Sequence, residues 1–377
     1  DIDIPFLKGA LEDVARMVYL PGKEIGPADL KDADALITRT RTLCNEELLE
    51  GSPVQFIAAA SIGYDHIDTE YCLSRGIEWT NAPGCNSSSV EQYMLSVLLS
   101  VAGRHQLRLS DICIGIIGVG HVGTRIERIC RAMGMKVLLN DPPRERNEGK
   151  GEFVSMERIQ EEANFITFHV PLNRSGEDKT LHLGDEGFFG GLKNKPVIIN
   201  SSRGPVLDGG ALKKALRSGL VRAAVLDVWE GEPEPDRELL SITDIATPHI
   251  AGYSVDGKAN ATRMSVGAVS RYFSLGMDDW QPEGLPAPRI NNLIIDGSRF
   301  DLQELLVVMA RRAYDVLRDD DVLRKNPGKF EYFRASYPVR REPAAISINL
   351  INDYVGAGPV LKELGFHTRT DFYSQLD

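Results

Sequence analysis

The strongest constraint on this chain is the stretch 112–123, Ile-Cys-Ile-Gly-Ile-Ile-Gly-Val-Gly-His-Val-Gly. An apolar β-branched run, Ile114, Ile116 and Ile117, gives way at a glycine to the helical pattern Val122, Ile126, Ile129, Cys130, Met133. Gly118, Gly120 and Gly123 stand at G-x-G-x-x-G spacing between the two. Gly118 permits a tight turn, Gly120 lets backbone approach a pyrophosphate, and Gly123 lets helix pack on strand. The helix start adds unpaired N–H groups and positive potential. Glycine-rich turns are common, so context matters. The strand expected at 136–140 ends in Asp141, about 20 residues beyond the glycines, where a carboxylate accepts both ribose hydroxyls of an adenosine. This predicts NAD as the cofactor, since Asp141 repels the extra phosphate of NADP. Arg144 and Arg146 follow closely and either serve a phosphate or stand in a solvated loop.

The rest of the chain reads as α/β. Strands are expected at 35–38, 56–60 and 77–80, alternating with helices, and then at 112–117, 136–140, 165–170, 196–201, 223–228 and 244–247. Six strands after 112 are what a doubly wound dinucleotide fold requires. Residues 1–5 resemble the tail of a strand whose start is missing, and 7–16 is read as a helix. A helix over 90–103 leads into the glycine motif, and another over about 255–275 returns to the first lobe. The Pro-rich run 281–288 marks a boundary. Beyond it, strand 291–295, helix 302–317, strand 345–350 and helix 358–364 form a small α+β unit, read as an oligomerisation module or, alternatively, a regulatory one. The expected domains are 1–92 plus about 254–280, 93–253, and 286–377.

With 377 residues there is room for two to three domains. The formal net charge of −11 disfavours binding to nucleic acid or an anionic membrane. The greasiest helix, 90–102, is interrupted by Glu91, Gln92, Ser96 and Ser100 and is read as buried. No basic-then-apolar leader opens the sequence, which predicts a cytoplasmic protein. The five cysteines lack C-x-x-C spacing and read as reduced core thiols, and the histidines lack metal-ligand spacing, so no metal is expected.

Ligands of open parallel sheets lie at the carboxyl ends of the strands. Arg203, Glu232 and His249 each follow one of the later strands. An arginine fork binds a carboxylate bidentately. A histidine exchanges a proton near neutrality. A glutamate on its other ring nitrogen orients it and stabilises its charged form. Singly, Arg203 reads equally as a surface pair, Glu232 as part of a solvated acidic loop and His249 as a satisfied buried histidine. Together on one rim they read as hydride-transfer chemistry beside a carboxylate.

Several motifs carry a family resemblance: Gly118-x-Gly120-x-x-Gly123, Asn200-x-x-Arg203-Gly204, Leu226-Asp227-Val228 with Glu232-Pro233, and Pro248-His249. With them the chain resembles the D-2-hydroxyacid dehydrogenases. Further stretches are similar to a branch of that family with phosphorylated substrates: Ala82-Pro83-Gly84-Cys85-Asn86, Asp141-Pro142-Pro143-Arg144, the Trp229-Glu230-Gly231-Glu232-Pro233 loop, and Tyr337-Pro338 with Arg340-Arg341. The resemblance implies a Rossmann NAD domain, a flavodoxin-like substrate lobe and a C-terminal dimerisation domain forming a homodimer. It implies Arg203, Glu232 and His249 as catalytic residues. It also implies NAD contacts at Asp141, Val170, Ser201, Ser202, Arg203, Asp227 and Gly252, and contacts to a small phosphorylated 2-hydroxy acid at Thr40, Ser61, Tyr253 and Arg203. Val170 and Asp256 depart from the family pattern, which has Thr or Ala and Glu there. The distal phosphate needs its own cation, expected from Arg39 or Arg41, with Arg340 or Arg341 of a partner chain. The trio leaves open a dehydrogenase of the 3-phosphoglycerate or hydroxypyruvate class, or an NAD-sensing protein of the corepressor kind.

Overall fold

The computed structural model describes residues 1–371, so the end of the expected 286–377 segment, 372–377, lies outside the described residues. The chain forms two compact units, Asp1–Ser87 with Ser254–Pro286, and Ser88–Tyr253 with the chain from Ala287 onward.

In the first unit β1 (Ala35–Thr38), β2 (Phe56–Ala59) and β3 (Glu78–Thr80) pair in parallel, in that order. The helix Val255–Phe273 lies against β2, where Tyr272 stacks on Phe56 with ring centroids 4.6 Å apart. The helix expected over 7–16 does not form. The segment runs as turns, with Ala10 N–H bonded to Leu7 O at 3.1 Å, and Phe6 and Gly9 take φ of 64° and 88°, which a right-handed helix cannot accommodate. Its apolar spacing still buries Leu7, Ala10 and Leu11, so the pattern marked a buried face rather than a helix. Residues 1–5 are turns as well, not the end of a strand.

The second unit is built on six parallel strands: β4 (Cys113–Ile117), β5 (Lys136–Asn140), β6 (Phe165–Phe168), β7 (Val197–Asn200), β8 (Ala223–Leu226) and β9 (Ile245–Ala246). Their order is β5-β4-β6-β7-β8-β9. The chain steps outward from β4 to β5 and then returns across β4 to β6, so the direction of winding reverses there and opens a crevice at the strands' carboxyl ends. Outside β5 a third position is reduced to one bridge, Leu139 with Phe153. The helix Ser87–His105 is buried on nearly every side, and its polar residues serve as docking points. Glu91 receives Arg125 at 3.0 Å and Arg128 at 2.5 Å, and Ser96 Oγ accepts the Val316 N–H at 3.1 Å. Among the described residues no helix is long and apolar enough to cross a membrane.

The C-terminal segment differs from the expected α+β unit. Its strands β10 (Asn292–Asp296), β11 (Ser347–Ile351) and β12 (His367–Asp371) are all parallel, with helices between them. β12 went unread because His-Thr-Arg-Thr-Asp carries no apolar signal. The helix expected over 302–317 ends at Ala313: Tyr314 leaves helical backbone, and Asp315 caps a second helix, Val316–Lys325, by accepting the Leu317 N–H at 3.2 Å. Leu305, Leu306, Met309 and Ala310 join the same core as Ile129 and Met133. The segment therefore shares the core of the nucleotide sheet.

Candidate active site

At the crevice, the three glycines have three different reasons to be glycine. Gly118 takes φ +87°, and a Cβ there would meet His169 O and Val170 Cγ1, each at 2.7 Å. A Cβ on Gly123 would lie 2.1 Å from Gly118 O. Above Gly120, the N-cap of the helix His121–Ala132, there is open space. An open backbone turn at the start of a helix fits an incoming pyrophosphate. Asp141 at the end of β5 ties this turn down: Oδ2 accepts the Val119 N–H at 2.7 Å and Oδ1 accepts that of Arg144 at 3.1 Å. Arg144 is forked onto Glu148 at 2.8 and 2.7 Å, and Arg146 faces Asp178 and Glu177. Both arginines are thus held by carboxylates. Beneath the turn, burial pushes the His169 imidazole down to about 3, so it stays neutral.

After β7 the buried Asn200 organises the loop, accepting from Ser202 Oγ at 2.8 Å and donating to Arg203 O at 2.9 Å. Ser201 Oγ is buried without a partner, an orphaned hydroxyl at a strand end that a bound cofactor fits. A Cβ on Gly204 would lie 2.0 Å from Trp229 O. Only glycine allows the Arg203 loop to lie directly on the loop that carries Glu232.

His249 Nδ1 is 2.7 Å from Glu232 Oε2, while Glu232 Oε1 accepts the Trp229 N–H at 2.8 Å. Burial opposes charge on Glu232, but the bond from His249, its charge and the Trp229 N–H together hold the carboxyl below its ordinary range. An ionised Glu232 accepting from Nδ1 leaves Nε2 as the atom that exchanges a proton. His249 takes φ +55°, an uncommon conformation for a residue with a side chain. The turn after it is fixed by Asp227, whose carboxylate accepts from Thr247 Oγ1 at 2.6 Å, Ile250 N–H at 2.8 Å and Ala251 N–H at 2.9 Å. Both Asp227 oxygens are engaged with this loop, which makes the residue a support for the turn that follows His249.

Gly252 and Tyr253 complete the loop, and the Tyr253 ring meets Tyr337 edge-on at 5.8 Å. The Arg334 guanidinium, for which the sequence held no signal, lies 5.8 Å from the Tyr253 ring centre. Arg340, expected as a phosphate cation, is buried and bonded to main-chain carbonyls of its own unit, so it cannot serve that purpose. Thr40 and Ser61 belong to the first unit, just after β1 and β2, and Ser61 Oγ donates to Gly63 O at 2.8 Å.

A family model described as the NAD-binding domain of D-isomer specific 2-hydroxyacid dehydrogenase matches residues 97–251, and one described as a domain of unknown function matches 285–358. The chain is 50% identical to erythronate-4-phosphate dehydrogenase of Bacteroides thetaiotaomicron over 350 residues, 92% of this chain and 97% of that protein. It is 40% identical to the enzyme of that name from Shigella flexneri over 370 residues, 97% of each. Among solved structures, a D-lactate dehydrogenase from Aquifex aeolicus complexed with NAD and lactic acid aligns with TM-score 0.60 and 26% identity, covering 76% of this chain and 97% of that one. A glyoxylate reductase from Paecilomyes thermophila shares the fold, with TM-score 0.61, 24% identity and coverage of 73% and 94%. The chain, with NAD as its cofactor, belongs to the D-isomer specific 2-hydroxyacid dehydrogenase family, in the group of the erythronate-4-phosphate dehydrogenases.

Proposed function

We propose that this chain oxidises 4-phospho-D-erythronate at C2 to (R)-3-hydroxy-2-oxo-4-phosphooxybutanoate, in the biosynthesis of pyridoxal phosphate. The observation that carries this is the His249–Glu232 pair at 2.7 Å in a unit that also presents Arg203 and the glycine turn, in a chain 50% identical to a protein of that name. NAD, when bound, supplies the hydride acceptor. The protein's own groups do the rest. Arg203 binds the C1 carboxylate as a two-pronged donor. His249 Nε2 takes the C2 hydroxyl proton, and Glu232 stabilises the imidazolium that results.

The resemblance carries Asp141, Val170, Ser201, Ser202, Arg203, Asp227 and Gly252 as cofactor contacts, and Thr40, Ser61, Tyr253 and Arg203 as substrate contacts. For the distal phosphate the proposed cations are Arg39 or Arg41 together with Arg341 of the partner subunit. If R41A and R341A both leave KM for the substrate unchanged, that assignment is wrong. The segment from 286 onward is proposed to form a homodimer, supported by Ile294 at 66% and Tyr354 at 71% exposure, and light scattering after size exclusion reads the mass. The buried thiols Cys44, Cys72, Cys113 and Cys130 accord with a cytoplasmic home.

The deciding experiment is NADH formation from NAD and 4-phospho-D-erythronate, beside 3-phosphoglycerate, with a 2-oxo acid present to recycle trapped NADH. A clear preference for the erythronate ester is expected. Silence with every hydroxy acid despite NADH binding would refute the dehydrogenase reading.

A further inference from the structure

The peptide groups of Ile250 and Ala251, which follow His249, lie fully inside the protein and outside any helix or strand. Buried backbone in such a place must find partners elsewhere. Here each side of the turn meets a buried charge. The N–H groups of both residues go to the Asp227 carboxylate, at 2.8 and 2.9 Å. Their carbonyls go to the Arg340 guanidinium: Nη1 donates to Ile250 O at 3.2 Å and Nη2 to Ala251 O at 2.8 Å.

Arg340 is itself fixed on every side. Nε donates to Gln92 Oε1 at 2.9 Å, Nη2 also reaches Ser89 O, and the guanidinium lies 4.2 Å from the centre of the Tyr314 ring. The neighbouring Tyr314 and Tyr337 hydroxyls both donate to Asp319 Oδ2 at 2.7 Å. Asp227 and His249 fall within the stretch 97–251 matched as the NAD-binding domain, whereas Arg340 falls within 285–358, matched as a domain of unknown function. A histidine at φ +55° persists only where its surroundings over-determine it. An acid on one edge of the following turn and a base on the other do so.

We propose that Arg340 is a positioning residue for His249, and that the C-terminal segment serves the reaction in cis by bracing the loop 247–253. The link to catalysis rests on the reading of His249 as the proton-transfer group; the brace itself does not. The parent chain, R340M and R340K are compared by amide hydrogen–deuterium exchange, by NADH titration and by turnover of 4-phospho-D-erythronate. In R340M, exchange in the peptide spanning 247–253 is expected to rise by about tenfold or more while β4 to β8 are unaffected. Its kcat is expected to fall by about tenfold or more, with the NADH Kd within about threefold of the parent. R340K, which keeps the charge and loses the fork, falls between the two.

Unchanged loop exchange in R340M overturns the proposal, as does a kcat that falls only in step with NADH affinity. Should R340M loosen every strand, R340K is judged by the same two readings. A parent chain that turns over nothing would refute the reading of His249, and the exchange data would still decide the brace.

Discussion

Two turns at the carboxyl edge of one sheet are braced from different distances along the chain. The glycine turn 118–123 is closed by shape, since a Cβ on Gly123 would lie 2.1 Å from Gly118 O, and by charge from the adjacent strand's end: Asp141 accepts the Val119 N–H at 2.7 Å and Arg144 Nη1 donates to Val119 O at 2.6 Å. The turn after His249 is held by side-chain charge from distant sequence, Asp227 before it and Arg340 after it. The first is completed by neighbours within about 25 residues, whereas the second, which sets the backbone after His249, needs a guanidinium from the far end of the chain.

The comparison predicts separable failures. The largest is H249A, expected to lower kcat by a factor on the order of 10²–10⁴ while NADH titration shows retained binding; loss of binding would mean that the two turns are not independent. G123A comes next, destabilising the second unit by about 1–3 kcal/mol through overpacking and weakening NADH binding, as read by urea unfolding and fluorescence titration.

Smaller is the pH effect at Glu232, whose carboxyl is held below its ordinary value of 4.5. A lowered folded-state value stabilises the protein above the unfolded value and loses that contribution as pH falls through the folded one. Urea unfolding of the parent should therefore weaken more steeply than that of E232Q as pH drops below about 4.5. A parallel decline would remove the His249–Glu232 bond as a source of stability. Smallest is the exposed Arg144–Glu148 pair beside the glycine turn, where a double-mutant cycle should return a smaller coupling than any of the effects above.

The same contrast explains what could be read in advance. The glycine turn is legible because each constraint lies within a few residues or one strand away, and Arg203, Glu232 and His249 are legible because parallel strands deliver their ends to one rim. Arg340 is not legible as a brace, because the basic pair after Tyr-Pro-Val is read as a source of phosphate cations and only the fold buries Arg340. Residues 7–16 failed differently. Their apolar spacing correctly marks a buried face, but positive φ at Phe6 and Gly9 breaks the hydrogen-bond ladder that the spacing normally accompanies. Asp227 shows a third case: the family resemblance implies a cofactor contact there, and only the fold reveals that its carboxylate also accepts the N–H groups of the turn after His249.

For protein engineering, the base opposite Asp227 sets where a chimera can be cut. Grafting 97–251 alone into another dehydrogenase would carry a buried carboxylate and leave its guanidinium counterpart behind at 340. The transplanted loop would then leave Ala251 O without its guanidinium donor, while Ile250 O would keep only the N–H at position 253. A workable exchange has to move 285–358 and also the start of the helix Ser87–His105, which holds Arg340 through Ser89 and Gln92, so what must travel together is a set of discontinuous segments rather than a contiguous domain.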